Sequence, residues 1–256
     1  MKGKKMIKHL SCSSVGTYGM CPRKWKYRYI QKAESKVSVN LVFGSAFHDT
    51  IEDVVKSNGK KQLLDRWPYY WKKQQARQTS EIEWNMATPE AMLAVGKRMF
   101  KSADAINLIN SLRPLVVDGV PQIETKISFK IPDVPIPIIG FVDIITDDHI
   151  PGDFKTAQRK WPKDKAKKEL QPLIYLAGLK KMGRECPGNR FRHYVFIKST
   201  GDVQVFENQF SDEKIEWGLE VVRQTWYGIR ASAYPASTGG WWCSEKWCEY
   251  WDQCQP

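Results

Sequence analysis

The chain has 256 residues, 42% of them hydrophobic, and its 11 Trp, 10 Tyr and 10 Phe are too many for a disordered protein. Its formal net charge is +12, and no run of about 18 apolar residues exists that would cross a membrane. The lysine-rich start lacks the apolar core of a signal peptide, so we expect a cytoplasmic, single-domain protein with no membrane partner. Its six cysteines are then thiols or metal ligands rather than disulfides.

The first half of the chain has the sequence patterns of helices. Thr88 followed by Pro89 is a typical helix start, and we expect the helix that begins there to continue to about Leu112. Together with the segment before it, this predicts a helical insert over residues 57–115. Further helices are expected over residues 13–18, 41–56 and 62–84.

Strand patterns begin at Pro121. Residues 123–131 alternate between apolar and polar side chains, and residues 138–145 form a β-branched run. The order of elements, with its antiparallel hairpins, predicts an α/β fold in which helices flank a central mixed β-sheet built from residues 121–210. The remaining strands are expected over residues 150–155, 194–198 and 203–210, and helices over 165–182 and 212–231.

The positive charge is concentrated in two segments. Residues 1–40 hold ten Lys or Arg and one acid, and residues 155–168 hold seven Lys or Arg and one acid. In the first segment Trp25, Tyr27 and Tyr29 alternate with cations. Such segments suit a nucleic acid, because the cations would neutralise its phosphates and the aromatic rings would stack on its bases. Solvated lysine-rich faces beside core aromatics are the alternative.

Two aspartates and a lysine lie around the hairpin of the second and third strands. A turn centred on Asp148 would place Asp143 directly opposite Asp153, with Cβ atoms about 5 Å apart. Lys155 would share their face, because side chains alternate along a strand. Two carboxylates this close favour a divalent cation between them, and the lysine would orient or deprotonate water or neutralise charge. Aspartates that only cap a turn are the alternative.

Two helices offer further polar side chains. Gly44, His48 and Glu52 share one helix face, so His48 is either a metal ligand or a satisfied core histidine. Gln171 and Tyr175 are also one turn apart, and either side chain can hold a phosphate or a water.

The order of these motifs resembles the PD-(D/E)xK nuclease superfamily, and its RecB-like exonuclease branch in particular. The resemblance implies a restriction-endonuclease-like core and a Mg²⁺ or Mn²⁺ site of His48, Asp143 and Asp153. It also implies that Lys155 is the catalytic lysine, supported by Gln171 and Tyr175. The motifs are Gly44 with His48, Gly140 with Asp143, Asp153 with Lys155 and Thr156, and Gln171 with Tyr175. Glu124, on the preceding strand, is expected either near this site or in a surface ion pair.

Four cysteines form a second pattern. One early cysteine, Cys21, and three late ones, Cys243, Cys248 and Cys254, resemble the iron–sulfur subset of the same branch. That subset includes the CRISPR-adaptation exonucleases and the AddB nuclease subunits. The resemblance implies a [4Fe–4S] cluster bound by these four thiolates. A Cys₄ zinc site or reduced structural thiols are the alternatives.

Either metal would join residues 12–25 to residues 241–254 and thereby connect the N-terminal and C-terminal segments. Metal binding by a folded chain contributes free energy of folding, so we expect a structural role. Cys12 and Cys186 have no comparable surroundings in the sequence and are expected to be ordinary thiols.

The resemblance implies a metal-dependent DNA exonuclease that hydrolyses phosphodiester bonds, with single-stranded ends as its substrate. A structure-specific endonuclease on the same core is one alternative. A nucleic-acid-binding module with a vestigial nuclease site, or a lysine-rich structural protein bound to RNA, are the others.

Overall fold

A five-stranded mixed β-sheet forms the centre of the structure, a computed structural model that describes residues 7–255. Its strands lie side by side in chain order, with β3 parallel to β4 and the other neighbours antiparallel. The predicted α/β fold with a mixed sheet flanked by helices is confirmed, and it is consistent with a restriction-endonuclease-like core. The strands are β1 (Ile123–Ile131), β2 (Val134–Ile145), β3 (Pro151–Ala157), β4 (Arg190–Ile197) and β5 (Val203–Gln209).

Strand β2 begins four residues earlier than the sequence pattern predicts, at Val134. Prolines in this part of the strand lack the N–H group that a ladder needs, which is why the pattern there is weak. The N-terminal segment also pairs with this part of β2, at Ile138. The Leu10 N–H group donates to the Pro137 carbonyl at 2.9 Å, and the Ile139 N–H group donates to the Leu10 carbonyl at 2.8 Å. The N-terminal segment is therefore attached to the sheet.

The longer helices cover both faces of the sheet. No helix within residues 7–255 is long and apolar enough to cross a membrane. The helices are α1 (Cys12–Met20), α2 (Val39–Lys56), α3 (Leu63–Ala76), α4 (Pro89–Lys101), α5 (Ala103–Ser111), α6 (Gln171–Lys181) and α7 (Asp212–Arg230).

Two hydrophobic cores lie on opposite faces of the sheet. One is formed by α1, α6 and α7 against residues such as Ile127, Val142 and Phe191. The other is formed by α2 to α5 against Ile144, Phe154, Tyr194 and Phe196. Burying apolar side chains on both faces is the main source of stability for such a layered fold.

The helix expected from residue 89 to about Leu112 is two helices. Ser102 has extended backbone angles, and its hydroxyl accepts a hydrogen bond from the Ala105 N–H group at 3.2 Å. A serine in this position begins a new helix by satisfying a free N–H group. The prediction of one continuous helix was wrong because the spacing of apolar residues continues across Ser102 and does not reveal the break.

The helix expected over residues 165–182 is interrupted as well. A single turn, Lys165–Lys168, is followed by extended backbone at Glu169, and α6 then begins at Gln171 with Pro172 in its first turn. Proline is favoured there because an N–H group in the first turn has no partner within the helix, so its absence removes no hydrogen bond. The helix expected over 62–84 likewise ends at Ala76, and Ile82–Glu83 is a short strand.

The C-terminal tail packs against the N-terminal helical segment. The Tyr27 hydroxyl donates to the Gln253 carbonyl at 2.9 Å, and Lys24 lies 2.5 Å from Glu249 in an ion pair. The Arg23 N–H group donates to the Pro235 carbonyl at 3.1 Å. These contacts bring the cysteine-containing segments of the two ends together.

Candidate active site

The hairpin of β2 and β3 places Asp143 beside Asp153. Its paired residues have the register predicted from a turn centred on Asp148. Beyond the last pair, the Phe154 N–H group donates to Asp143 Oδ2 at 2.7 Å, so this carboxylate replaces a backbone partner. Asp143 and Asp153 are only 7% and 2% exposed, respectively. The turn and strand period therefore bring two carboxylates into a buried position.

Asp153, Lys155 and Gln171 form a closed set of contacts. Lys155 Nζ lies 2.7 Å from Asp153 Oδ2 and donates to Gln171 Oε1 at 2.7 Å. Gln171 Nε2 donates to Asp153 Oδ1 at 2.5 Å. Burial alone would lower the pKa of Lys155, but the charges of Asp153 and then Asp143 outweigh it and raise the pKa. The lysine is therefore held as an ammonium ion.

Tyr175 lies one turn beyond Gln171 on α6, under the sheet. A Cβ atom at position 140 would lie 2.8 Å from Tyr175 Cε1, so only glycine leaves room for this ring. Burial, followed by the charge of Asp153, raises the pKa of Tyr175, which keeps its hydroxyl neutral. Tyr175 thus packs closely against β2 at Gly140.

His48 reaches the site from α2. Phe43, Phe47 and Ile51 bury one face of this helix, which directs His48 into an open cleft between α2 and the sheet. Its Nδ1 atom lies 3.3 Å from Asp143 Oδ2. Burial lowers the pKa of His48, so the imidazole is neutral near pH 7, the form in which it binds metals.

The sequence allowed two positions for Glu124, one near the site and one in a surface ion pair. In the structure Glu124 lies at the cleft. It is on β1 opposite the Asp143 position of β2, and it lines the same cleft as His48 and Asp143. Its backbone is left-handed, with φ of 53°, which is uncommon for a residue other than glycine. Burial, then the charges of Asp143 and Glu52, raise its pKa to about 7. No signal in the sequence reveals such a backbone angle.

An open cleft lies between α2 and the ends of β1, β2 and β3. Gly44 leaves space there, because a Cβ atom would meet only Thr156 Oγ1, at 3.9 Å. Two side chains that the sequence did not single out, Asp49 and Gln74, also line the cleft and are joined by a 2.7 Å hydrogen bond.

The donor set of the cleft suits a hard divalent cation. Carboxylates and a neutral imidazole are ligands for Mg²⁺ or Mn²⁺, which take few protein ligands and complete their shells with water and phosphate oxygens. Burial and then the charge of Asp153 raise the pKa of Asp143 well above its ordinary value, and a cation would relieve this repulsion. Asp153 Oδ2 has an ion-pair contact but no hydrogen bond. Within residues 7–255, however, no group of three or more His, Cys, Asp or Glu is arranged to hold a metal.

The four cysteines of the second pattern line one small pocket beside Trp242. Cys21 is buried, and its sulfur accepts hydrogen bonds from the N–H groups of Lys24 and Ser237, each at 3.5 Å. Backbone N–H groups of this kind stabilise the negative charge of a thiolate ligand. The other three are Cys243, Cys248 and Cys254, and all six cysteines of the chain are free.

Cys12 lies on α1 near the candidate catalytic residues. Burial raises its pKa to about 12, opposed by the charge of Lys155 and reinforced by that of Asp153. Burial also raises the pKa of Cys186, to about 11. Both side chains are therefore thiols at neutral pH. The proximity of Cys12 to Lys155 could not be foreseen, because the two lie on separate elements.

The chain belongs to the PD-(D/E)XK nuclease superfamily, whose family model matches residues 9–255. It is therefore a nuclease by family, with a nucleic acid as the substrate class, and nucleases of this superfamily typically use divalent metals such as Mg²⁺. No curated protein matches the sequence significantly.

The solved structures that are similar to this chain include the following two. The crystal structure of the "Putative exonuclease" from Eubacterium rectale has a TM-score of 0.58 and 13% sequence identity, over 92% of this chain and 87% of that chain. The crystal structure of SSO0001 has a TM-score of 0.39 and 15% identity, over 87% of this chain and 86% of that chain. The first of them has the same fold as this chain.

Proposed function

We propose that this protein is a metal-dependent DNA exonuclease of the RecB-like branch that hydrolyses phosphodiester bonds at single-stranded ends. The observation that carries the proposal is the contact set of Asp153, Lys155 and Gln171, in which Lys155 lines one open cleft together with Asp143 and His48. Burying two carboxylates and an ammonium ion beside an open cleft lowers the stability of the fold. A catalytic role therefore explains their presence better than a structural one.

In this proposal Asp143, Asp153 and His48 hold Mg²⁺ or Mn²⁺. When bound, the cation would activate water and stabilise negative charge on the phosphate. Lys155, kept protonated by Asp153, donates to the phosphate oxygens on which negative charge develops. This assignment favours charge neutralisation over proton removal by the lysine. Gln171 orients both Lys155 and Asp153 through its amide group.

The segment that follows β3 supports a nucleic-acid strand as the substrate. Lys165 Nζ lies 4.3 Å from the centre of the Trp161 ring. The backbone of Trp161 is held by two hydrogen bonds with the Gln204 side chain. A cation next to an aromatic ring suits the phosphate and the base of an unpaired nucleotide. The helical insert over residues 57–115 would cover one side of the bound strand.

We also propose that Cys21, Cys243, Cys248 and Cys254 bind a [4Fe–4S] cluster, with zinc as the alternative metal. Their shared pocket and the two N–H groups at the Cys21 sulfur support this proposal. The aromatic side chains around the pocket would limit access of water. The bound metal would connect residues 12–25 to residues 241–254 and stabilise the fold.

Linear and circular single strands of the same sequence test the mode of cleavage. We expect the linear strand to be degraded in Mg²⁺ and the circle to remain intact, because an exonuclease requires an end. Intact and nicked circles are separated by gel electrophoresis, and heat-denatured protein is the control. Cleavage of the circle at a rate similar to that of the linear strand would contradict the exonuclease and support an endonuclease. No cleavage of either strand would support a vestigial site.

A further inference from the structure

A further pocket lies at the carboxyl ends of the parallel strands β3 and β4. Gln158 follows β3 and Lys198 follows β4, and both line this pocket. The Lys198 N–H group donates to the Ala157 carbonyl at 2.8 Å, which extends the pairing of the strands by one residue. Asn40 lines both this pocket and the active-site cleft, so the two are adjacent.

Lys198 is a buried cation without an acidic partner. It is only 6% exposed, its Nζ atom donates to Asn40 Oδ1 at 2.7 Å, and it lies 4.4 Å from the centre of the Phe43 ring. An ammonium group has three donors, and within residues 7–255 no carboxylate forms an ion pair with this one. Burial lowers the pKa of Lys198 to about 8, and no neighbouring acid opposes this effect.

A second cation and an aromatic ring also line the pocket, together with apolar residues such as Val39 and Met92. Arg98 donates to the carbonyl oxygen of Lys198, and its side chain lines the pocket together with Trp84. A methionine at position 198 would fill the same apolar space against Phe43 without the cost of burying a charge. Packing alone therefore does not explain why a lysine is present.

We propose that this pocket binds a backbone phosphate of the substrate strand, next to the phosphate that is cleaved. The inference rests on the proposed nuclease function. Asn40 precedes His48 by eight residues on α2, which corresponds to about 12 Å along the helix, so the two phosphates would lie a few nucleotides apart on one strand. The phosphate would supply the anion that Lys198 lacks, and Trp84 would contact the neighbouring sugar or base.

Lys198→Met tests the proposal through binding of an end-labelled single strand in EDTA, which prevents metal-dependent cleavage. We expect a lower affinity than that of the wild type. The slope of log K against log salt concentration should become shallower by about 0.7, as expected when one phosphate contact is lost. Thermal stability should be unchanged or higher, because an unpaired buried ammonium is removed. Lys214→Met is the matched control, since Lys214 lies on α7 over the Trp217 ring, 3.6 Å from its centre.

Asn40→Asp is the second variant and keeps the lysine in place. It gives Lys198 a carboxylate partner within the protein, so we expect weaker binding of the strand and a stable fold. Wild-type affinity and an unchanged salt slope in Lys198→Met would overturn the phosphate pocket, even if the protein cleaves DNA normally. If the wild type binds DNA but never cleaves it, the nuclease proposal fails, whereas a reduced affinity of Lys198→Met still supports the pocket.

Discussion

Lys155→Met is expected to lower the rate constant for DNA cleavage by about 10²- to 10³-fold while DNA binding persists. Removing one preorganised donor from the place where negative charge develops typically has an effect of this size. Asp153 and Gln171 hold the ammonium group in position, and the acidic neighbours keep it protonated. Single-turnover cleavage at saturating Mg²⁺ measures the rate, and binding in EDTA measures the affinity.

The stability of this variant needs a matched control. Lys155→Met leaves Asp153 buried without its cation, which typically costs about 3 to 5 kcal/mol of unfolding free energy. The double variant Asp153→Asn, Lys155→Met removes both charges and is expected to recover most of that stability while remaining inactive. Thermal unfolding separates the two effects. A folded Lys155→Met that cleaves DNA at the wild-type rate would show that the lysine has no catalytic role.

Cys248→Ala is expected to remove the proposed cluster or zinc ion and to lower the unfolding temperature by several degrees. The metal contributes free energy of folding, and each kcal/mol lost from a chain of this size corresponds to roughly 2 to 4 °C. Anaerobically purified wild type should show the visible absorption of a [4Fe–4S] cluster, or contain zinc if the alternative holds. Metal analysis and thermal unfolding of the two proteins measure the loss.

Cys186→Ala is the control for this substitution. Cys186 is partly buried but does not line the cysteine pocket, so its replacement should leave the metal content unchanged. The ion pair of Lys24 with Glu249 still holds the tail to the N-terminal segment, so we expect Cys248→Ala to remain folded at low temperature. If Cys248→Ala keeps the wild-type metal content and unfolding temperature, the four cysteines do not form a structural metal site.

Strand pairing near the candidate site could be predicted from the sequence because it depends on local rules. The turn at Asp148 and the two-residue period of a strand place Asp143 next to Asp153. The helix face of His48 follows from the spacing of Phe43, Phe47 and Ile51 in the same way. These features require only the geometry of single elements or of one hairpin.

Features that depend on contacts between distant elements could not be predicted. Glu124 faces the cleft with a left-handed backbone that no residue pattern indicates. Lys198 lies beside Asn40 only because β4 packs parallel to β3 under α2. Ser102 illustrates a local failure, since its capping hydrogen bond interrupts an apolar pattern that continues on both sides.

Assays of wild-type protein and Asp153→Asn with and without metal test most directly whether the cleft is a metal-dependent nuclease site. The substitution preserves the shape of the side chain but removes a buried carboxylate from the proposed metal site. Wild-type protein treated with EDTA should be inactive on an end-labelled single strand and should recover activity in Mg²⁺ or Mn²⁺. Asp153→Asn should bind the strand but show no cleavage with either ion. Cleavage by the wild type in EDTA, or wild-type activity of Asp153→Asn in Mg²⁺, would contradict the assignment of the cleft as a metal-dependent nuclease site.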